Sequence, residues 1–375
     1  MIDSFMDLFN SLVQNRQLGG NIGNYPPVAI LPYKVLARLV PWDMFDPGLG
    51  GRELAFALRA SVPGNVILML HILCFILPFM FISMSFLNEK NNAVKYMYVT
   101  IFMFSGVMLY SLERGNIVVY AFLFTFLFVY LIERTEHKWI AYICLVLAAS
   151  IKLYPAVFGL ILLGKKGVKS ILFAVAGFFL LFCIAYRLGG LGNIKGYVSN
   201  IIRWTQSLTM TPLGTNFSFK NFLLVFNKLL YRILIGRGGY FAVPQLVFMV
   251  SKLLLLAGGI FSYFHSDSEW KKLASLSLMC ILIPDVSYLY VLLFLFIPIV
   301  SFLNDETEGI LPDFYALCFG TIMPVLVIPV KVDFPRYFVS GGFLLQFFAL
   351  VLLWLFINIQ AIVHCAQNMR GKRKR

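Results

Sequence analysis

Apolar runs of roughly 18 residues or more, almost free of charge, recur along the whole chain, and this is the length a helix needs to cross about 30 Å of hydrocarbon. Lipid offers the backbone no hydrogen bonds, so such runs must satisfy their own as helices. The chain therefore reads as a polytopic, all-α integral membrane protein. Composition agrees: hydrophobic residues make up 60% of the chain and charged residues 13%, against about 25% charged in soluble domains.

The spans fall at 65–87, 96–112, 116–133, 138–153, 155–164, 168–186, 241–263, 272–284, 286–303, 310–330 and 337–363, about 11 helical membrane segments. Several are too short to cross alone. Pro155 divides one long apolar stretch and Pro284-Asp285 another. A proline removes a helix hydrogen bond and drives the preceding residue out of the helical region, so each is a bend. Such breaks are tolerable at membrane depth only where protein or a wet cavity lines them. Residues 1–375 form a single transmembrane domain, with no repeat and no soluble domain boundary. Segment 26–41 carries Pro26, Pro27, Pro32 and Pro41 beside Lys34 and Arg38. It is too broken and too charged to span and is expected to lie at the interface as a helix. A second surface helix is expected from Phe222 to Leu234, within the connection 187–240.

Cytoplasmic loops are enriched in Lys and Arg, which fixes an orientation for the plasma membrane. With the basic tail 364–375 inside, Lys271-Lys272, Lys165-Lys166-Lys169, Arg134 to Lys138 and Lys90 to Lys95 all fall in the cytoplasm. Residues 1–64, Glu113 to Asn116, the bend at Lys152 to Pro155, the connection 187–240, the bend at Asp285 and Lys331 to Arg336 then face outside. Nearly all the unusual polar residues share that face. Nothing ahead of residues 1–64 carries them across, so a spanning helix is expected upstream of Met1; the alternative is that these residues stay cytoplasmic and one span is miscounted. The net charge of +14 is loop charge of this kind, and no nucleic-acid partner is expected. Six singly placed cysteines and four histidines show no metal or disulfide spacing; neither metal nor cofactor is expected.

A cation near the membrane is costly and hence a functional candidate. Lys152 ends an apolar run at a helix break, where its stem could simply snorkel or its ammonium could hold an anionic phosphate. Arg114 ends the neighbouring span on the same face, and the two could share a lipid phosphate. Asp3 and Asp7, four apart, would lie on one helix face, and either carboxylate could take a proton from a hydroxyl.

Motifs in order carry a resemblance. They are Asp7-Leu8-Phe9-Asn10, Asn24-Tyr25-Pro26-Pro27, Arg114-Gly115-Asn116, Ile151-Lys152-Leu153-Tyr154-Pro155, and Pro284-Asp285-Val286-Ser287-Tyr288-Leu289-Tyr290 with Pro298 beyond. Together they resemble the polyprenyl-phosphate-dependent mannosyltransferases of glycosyltransferase family 87, which have the GT-C fold. The resemblance runs over roughly residues 3–300, and a similar Arg-Gly and Lys-x-Tyr-Pro pair occurs in the glycosylphosphatidylinositol mannosyltransferases. It departs from the family where Asn10 or a neighbour replaces a tyrosine, which leaves Asp3 and Asp7 both open as the base.

The resemblance implies inverting transfer of a hexose, mannose by preference, from a polyprenyl-phosphate sugar to a lipid-linked or glycan acceptor at the outer face. It makes Asp7 or Asp3 catalytic and gives the donor phosphate to Arg114 and Lys152. Asn10, Tyr25, Asn116, Tyr154, Asp285 and Tyr290 would line the substrate pocket. The alternative is a transporter or flippase of lipid-linked sugars, for broken helices are also transporter architecture; against it stand the missing repeat and the one-sided polar residues. A purely structural subunit would leave the buried cations unexplained.

Overall fold

A computed structural model describes residues 4–16, 25–134, 138–189, 195, 198–199, 216–236, 239–305, 310–324, 331–334 and 337–373. Asp3, Asn24 and most of 190–215 lie outside them. Four helices are individually long and apolar enough to cross a membrane: Val62–Phe86, Val168–Leu188, Gln245–His265 and Gly342–Arg370. A fifth candidate is the bent pair Asn92–Met103 and Gly106–Arg114. Shorter apolar helices fill the remaining positions, among them Val118–Arg134 and Lys138–Ile151. These are the helices of a multi-pass membrane protein.

Both proline-marked breaks are real. The helix Lys138–Ile151 stops before Lys152, a 3-10 turn runs Tyr154–Gly159, and Leu160–Lys166 resumes as α-helix. Likewise Glu269–Leu282 stops before Pro284, a 3-10 turn runs Leu289–Leu295, and Phe296–Leu303 follows. Three other spans gain detail, and the last of them needs correction. The span 96–112 bends by 53° between Met103 and Gly106. There Ser105 Oγ donates to the Phe102 carbonyl at 2.8 Å and accepts from Met108 N at 3.2 Å, ending one helix and capping the next. In the span 310–330 the helix runs Ile310–Ile322, and residues 325–330 lie outside the described residues. The last span does not begin at 337: Lys331–Phe334 and Tyr337–Ser340 pair as antiparallel strands, and the helix runs Gly341–Arg373, taking in most of the basic tail.

Cα packing divides the chain into two compact units, Met1–Ser85 with Leu109–Ser207, and Phe86–Met108 with Leu208–Arg375. In the first, an aromatic ladder of Phe75, Phe79, Phe122 and Phe126 locks Val62–Phe86 to Val118–Arg134. All four rings are fully buried. Off-face aromatic pairs of this kind add about 0.5–1.5 kcal/mol each beyond the burial of their area. The proline-rich segment forms the helix Pro27–Arg38, whose face of Ala29, Ile30, Tyr33 and Ala37 is buried. Its Lys34 ammonium donates to the Gly189 carbonyl, capping the end of Val168–Leu188. Burial first, then the like charge of Arg38, lowers the Lys34 pKa below the ordinary lysine value.

In the second unit, Gln245–His265 packs against Glu269–Leu282 and against Gly341–Arg373. Small residues allow the approach: a Cβ on Gly259 would meet Met279 Sδ at 2.4 Å, and one on Gly258 would meet Asn358 Oδ1 at 2.8 Å. Ser262 Oγ donates to Asn358 Oδ1 at 2.9 Å across the same contact. The expected surface helix near 222–234 runs Phe219–Ile235, capped by Ser218 Oγ.

Candidate active site

The site begins with a short helix, Met6–Gln14, whose apolar residues Met6, Leu8, Phe9, Leu12 and Val13 are buried. That burial fixes its rotation and leaves Asp7, in the first turn, on its polar side. The helix start is tied down from the end of the neighbouring helix Gly106–Arg114. The Phe5 amide donates to the Glu113 carbonyl, Ser4 Oγ donates to Glu113 Oε1 at 2.9 Å, and Arg59 Nη1 donates to the Ser4 carbonyl at 2.9 Å.

Gly115 then turns the chain with φ of +62°, and a Cβ there would lie 3.0 Å from Leu8 Cβ. Glycine adopts this conformation without steric cost, and nothing larger lets the turn sit this close to the Asp7 helix. The turn delivers both flanking side chains to one carboxylate. Arg114 donates through Nη2 to Asp7 Oδ1 and through Nε to Oδ2 at 3.4 Å, while Asn116 Nδ2 donates to Oδ2 at 2.9 Å.

Asn116 is almost fully buried, 2% exposed. Its amide also reaches Tyr25 Oη at 3.0 Å, and its Oδ1 accepts the Val118 amide at 3.1 Å. The Lys152 ammonium, from the break after Lys138–Ile151, stands over the Tyr25 ring 4.3 Å from its centre and within the field of Asp7. One carboxylate, two cations, an amide and a phenol thus form a connected group drawn from four separate stretches of sequence.

Asp7, Asn10 and Arg114 line a cavity of about 420 Å³ together with Met6, Val13, Gln14, Gly51 and Arg52. Tyr25, Asn116 and Lys152 are not among its lining residues and reach it through Asp7. Arg52 is a second cation on the cavity wall that composition and motif did not single out; its signal was a cation in the Gly51-Arg52-Glu53 start of the helix Gly51–Ala60. Tyr154 sits half-buried at the head of its 3-10 turn, two residues beyond Lys152. Asp3 lies outside the described residues.

Asp285 and Tyr290 belong to the second unit. There Asp285 Oδ1 pairs with Lys252 Nζ at 2.8 Å and Lys220 Nζ at 3.4 Å, and Tyr290 is buried with its ring 5.7 Å from that of Tyr288. Among the described residues, no three His, Cys, Asp or Glu side chains come together as a metal site. What the Asp7 group can do is hold an ionised carboxylate at a cavity wall with cations beside it, an arrangement suited to taking a proton and steadying a nearby negative charge.

Neither the curated proteins nor the solved structures contain a match to the chain. The family model for glycosyltransferase family 87 matches residues 24–294. The matched stretch contains Tyr25, Arg114, Asn116, Lys152, Tyr154, Asp285 and Tyr290, while Asp7 and Asn10 precede it. A match over more than half the chain, joined to its apolar helices, establishes that the chain belongs to glycosyltransferase family 87 and is a membrane glycosyltransferase.

Proposed function

We propose that the chain transfers a hexose, mannose by preference, from a polyprenyl-phosphate sugar to a lipid-linked or polymeric glycan acceptor at the outer face of the membrane, with inversion. The observation that carries this reading is the Asp7 carboxylate, gripped by Arg114 and Asn116 at the wall of the cavity. Asp7 takes the proton of the acceptor hydroxyl as its oxygen bonds to the anomeric carbon. The bond from that carbon to the donor's phosphate oxygen breaks, and its electron pair leaves on the polyprenyl phosphate. Attack opposite the leaving group inverts the centre.

Arg114 has two tasks in this scheme. Without donor it is bound to Asp7, which keeps a half-buried carboxylate paired. With donor present it swings to the phosphate alongside Lys152, freeing a carboxylate oxygen to accept the proton. The departing phosphate gains negative charge in a poorly hydrated site, where fixed cations stabilise it most.

The test is direct. Purified protein is incubated with labelled polyprenyl-phosphate mannose and extracted membrane lipids, and the expected result is labelled lipid or glycan with the opposite anomeric configuration. Label that crosses the bilayer in proteoliposomes with no new glycosidic bond would instead make the chain a carrier.

A further inference from the structure

The second unit holds a cluster that this chemistry leaves unused. Asp285 Oδ1 receives both Lys252 and Lys220, at 2.8 and 3.4 Å. Two ammonium groups share one carboxylate, so the cluster keeps one net positive charge. Lys220 is only 8% exposed, while Lys252 and Asp285 remain partly open, at 35% and 27%. Among the described residues neither lysine pairs with a second carboxylate. Each ammonium has three donors, so most of their hydrogen-bonding capacity is unspent.

The cluster is built without relying on its ion pairs. Asn216 Nδ2 and Ser218 Oγ donate to the Asp285 carbonyl at 3.2 and 3.0 Å. Asn216 Oδ1 accepts the amides of Ser218 and Ser287 at 3.0 and 2.7 Å. These bonds latch the Pro284-Asp285 break to the start of Phe219–Ile235, where Lys220 is the second residue, its ammonium 5.6 Å from the centre of the Phe248 ring. Lys252 comes from Gln245–His265, seven residues past its start, or about 10 Å along the axis. In a spanning helix that depth lies inside the hydrocarbon, from which a lysine stem reaches back toward the headgroup layer, and an uncompensated cation there is costly.

We propose that Lys220 and Lys252 form a binding site for the phosphate of a lipid, distinct from the Asp7 group, in which Asp285 partly occupies the anion's place until the phosphate enters. The excess charge, its burial, the spare donors and the pre-set latch all fit a tetrahedral anion. The source is either a phospholipid headgroup or a polyprenyl phosphate, since both present the same group at this level.

Delipidated full-length protein in detergent is titrated with phosphatidylglycerol, polyprenyl phosphate, diacylglycerol and inorganic phosphate, with bound lipid read by native mass spectrometry. The phosphate-bearing lipids should bind and diacylglycerol should not. The double variant Lys220→Gln with Lys252→Gln should lower affinity on the order of tenfold or more. Asp285→Asn should raise it, because it removes the competing anion and leaves the backbone latch in place. A merely structural salt bridge gives no such gain. Lys152→Ala should leave the binding of phosphatidylglycerol unchanged and weaken only the share of polyprenyl phosphate that enters the donor site proposed above, which separates the two sites. In the Lys152→Ala background, equal binding of both lipids marks a headgroup site, and preference for polyprenyl phosphate that the double variant abolishes marks a site for the isoprenoid substrate. Displacement of either by inorganic phosphate shows that the phosphate itself is what is read. The proposal is overturned if Asp285→Asn weakens lipid binding, or if the double variant binds as the wild type does.

Discussion

Asp7 and Lys152 are given different tasks by the proposed reaction, and single substitutions separate them. Asp7→Asn keeps the size of the side chain and its contact with Asn116 but cannot take the acceptor's proton. It should abolish turnover while donor affinity stays nearly intact. Lys152→Ala removes a charge-assisted contact to the phosphate and should weaken donor binding as well as rate, by a contribution of about 1.5–3 kcal/mol. Donor affinity and single-turnover rates for both variants decide the matter. Retained turnover in Asp7→Asn together with its loss in Asp3→Asn would move the base to Asp3, and retained turnover in both would remove the proposed base altogether. The candidate residues themselves were legible from residue type, since a carboxylate and two cations beside apolar spans are conspicuous. Their joining was not. Arg114 and Asp7 are 107 residues apart, and no local period encodes that they meet; the assignment of Arg114 to phosphate alone overlooked that the carboxylate also needs a partner.

Between helices, the geometry of the site rests on the turn that presents Arg114 and Asn116. Gly115→Ala forces an L side chain into the left-handed region, at about 1–2 kcal/mol, and also drives a Cβ to 3.0 Å from Leu8 Cβ. Gly236 has a similar φ of +72° but open space around it. Gly236→Ala should therefore show the backbone cost alone and keep its activity, whereas Gly115→Ala should push the Met6–Gln14 helix from its partners and lose most of its turnover. Equal activity in the two variants would mean that the contact with Leu8 does not hold the site. Elements announced by proline were readable in advance, as at Pro155 and Pro284, because the missing amide and the clash with the preceding residue act locally. The bend at Ser105 was not, for Phe104-Ser105-Gly106 sits in an unbroken apolar run and the serine works through two hydrogen bonds that composition does not reveal. The strand pair near 331–340 was hidden for the opposite reason: Tyr337 to Ser340 are apolar enough to read as the start of the helix that follows.

At the scale of the whole molecule, the proposed reaction stands or falls with which side of the membrane carries the Asp7 group, and the helix Val168–Leu188 offers the clearest test. It is 21 residues long, about 31 Å at the α-helical rise, enough to cross the hydrocarbon by itself. Phe173, Leu180 and Leu188 are each more than 60% exposed, as a lipid-facing helix requires. Lys169 lies at its start and Lys195 beyond its end, and both are exposed. Because Lys and Arg are enriched in cytoplasmic loops, the basic cluster Lys165, Lys166 and Lys169 leads us to expect the start of the helix in the cytoplasm. On that expectation the helix ends outside, and its end at Gly189 receives Lys34 from Pro27–Arg38. That contact belongs to the same unit as the Asp7 group, so the orientation of this one helix sets the side of the site. In a background with the six native cysteines replaced, Lys195→Cys should react with an impermeant maleimide on intact cells, and Lys169→Cys only after permeabilisation. The reverse pattern would put Asp7 in the cytoplasm, where a sugar carried on a polyprenyl phosphate would have to be used before it crosses the membrane, and the outward-facing reaction would be wrong even if the chemistry at Asp7 were right.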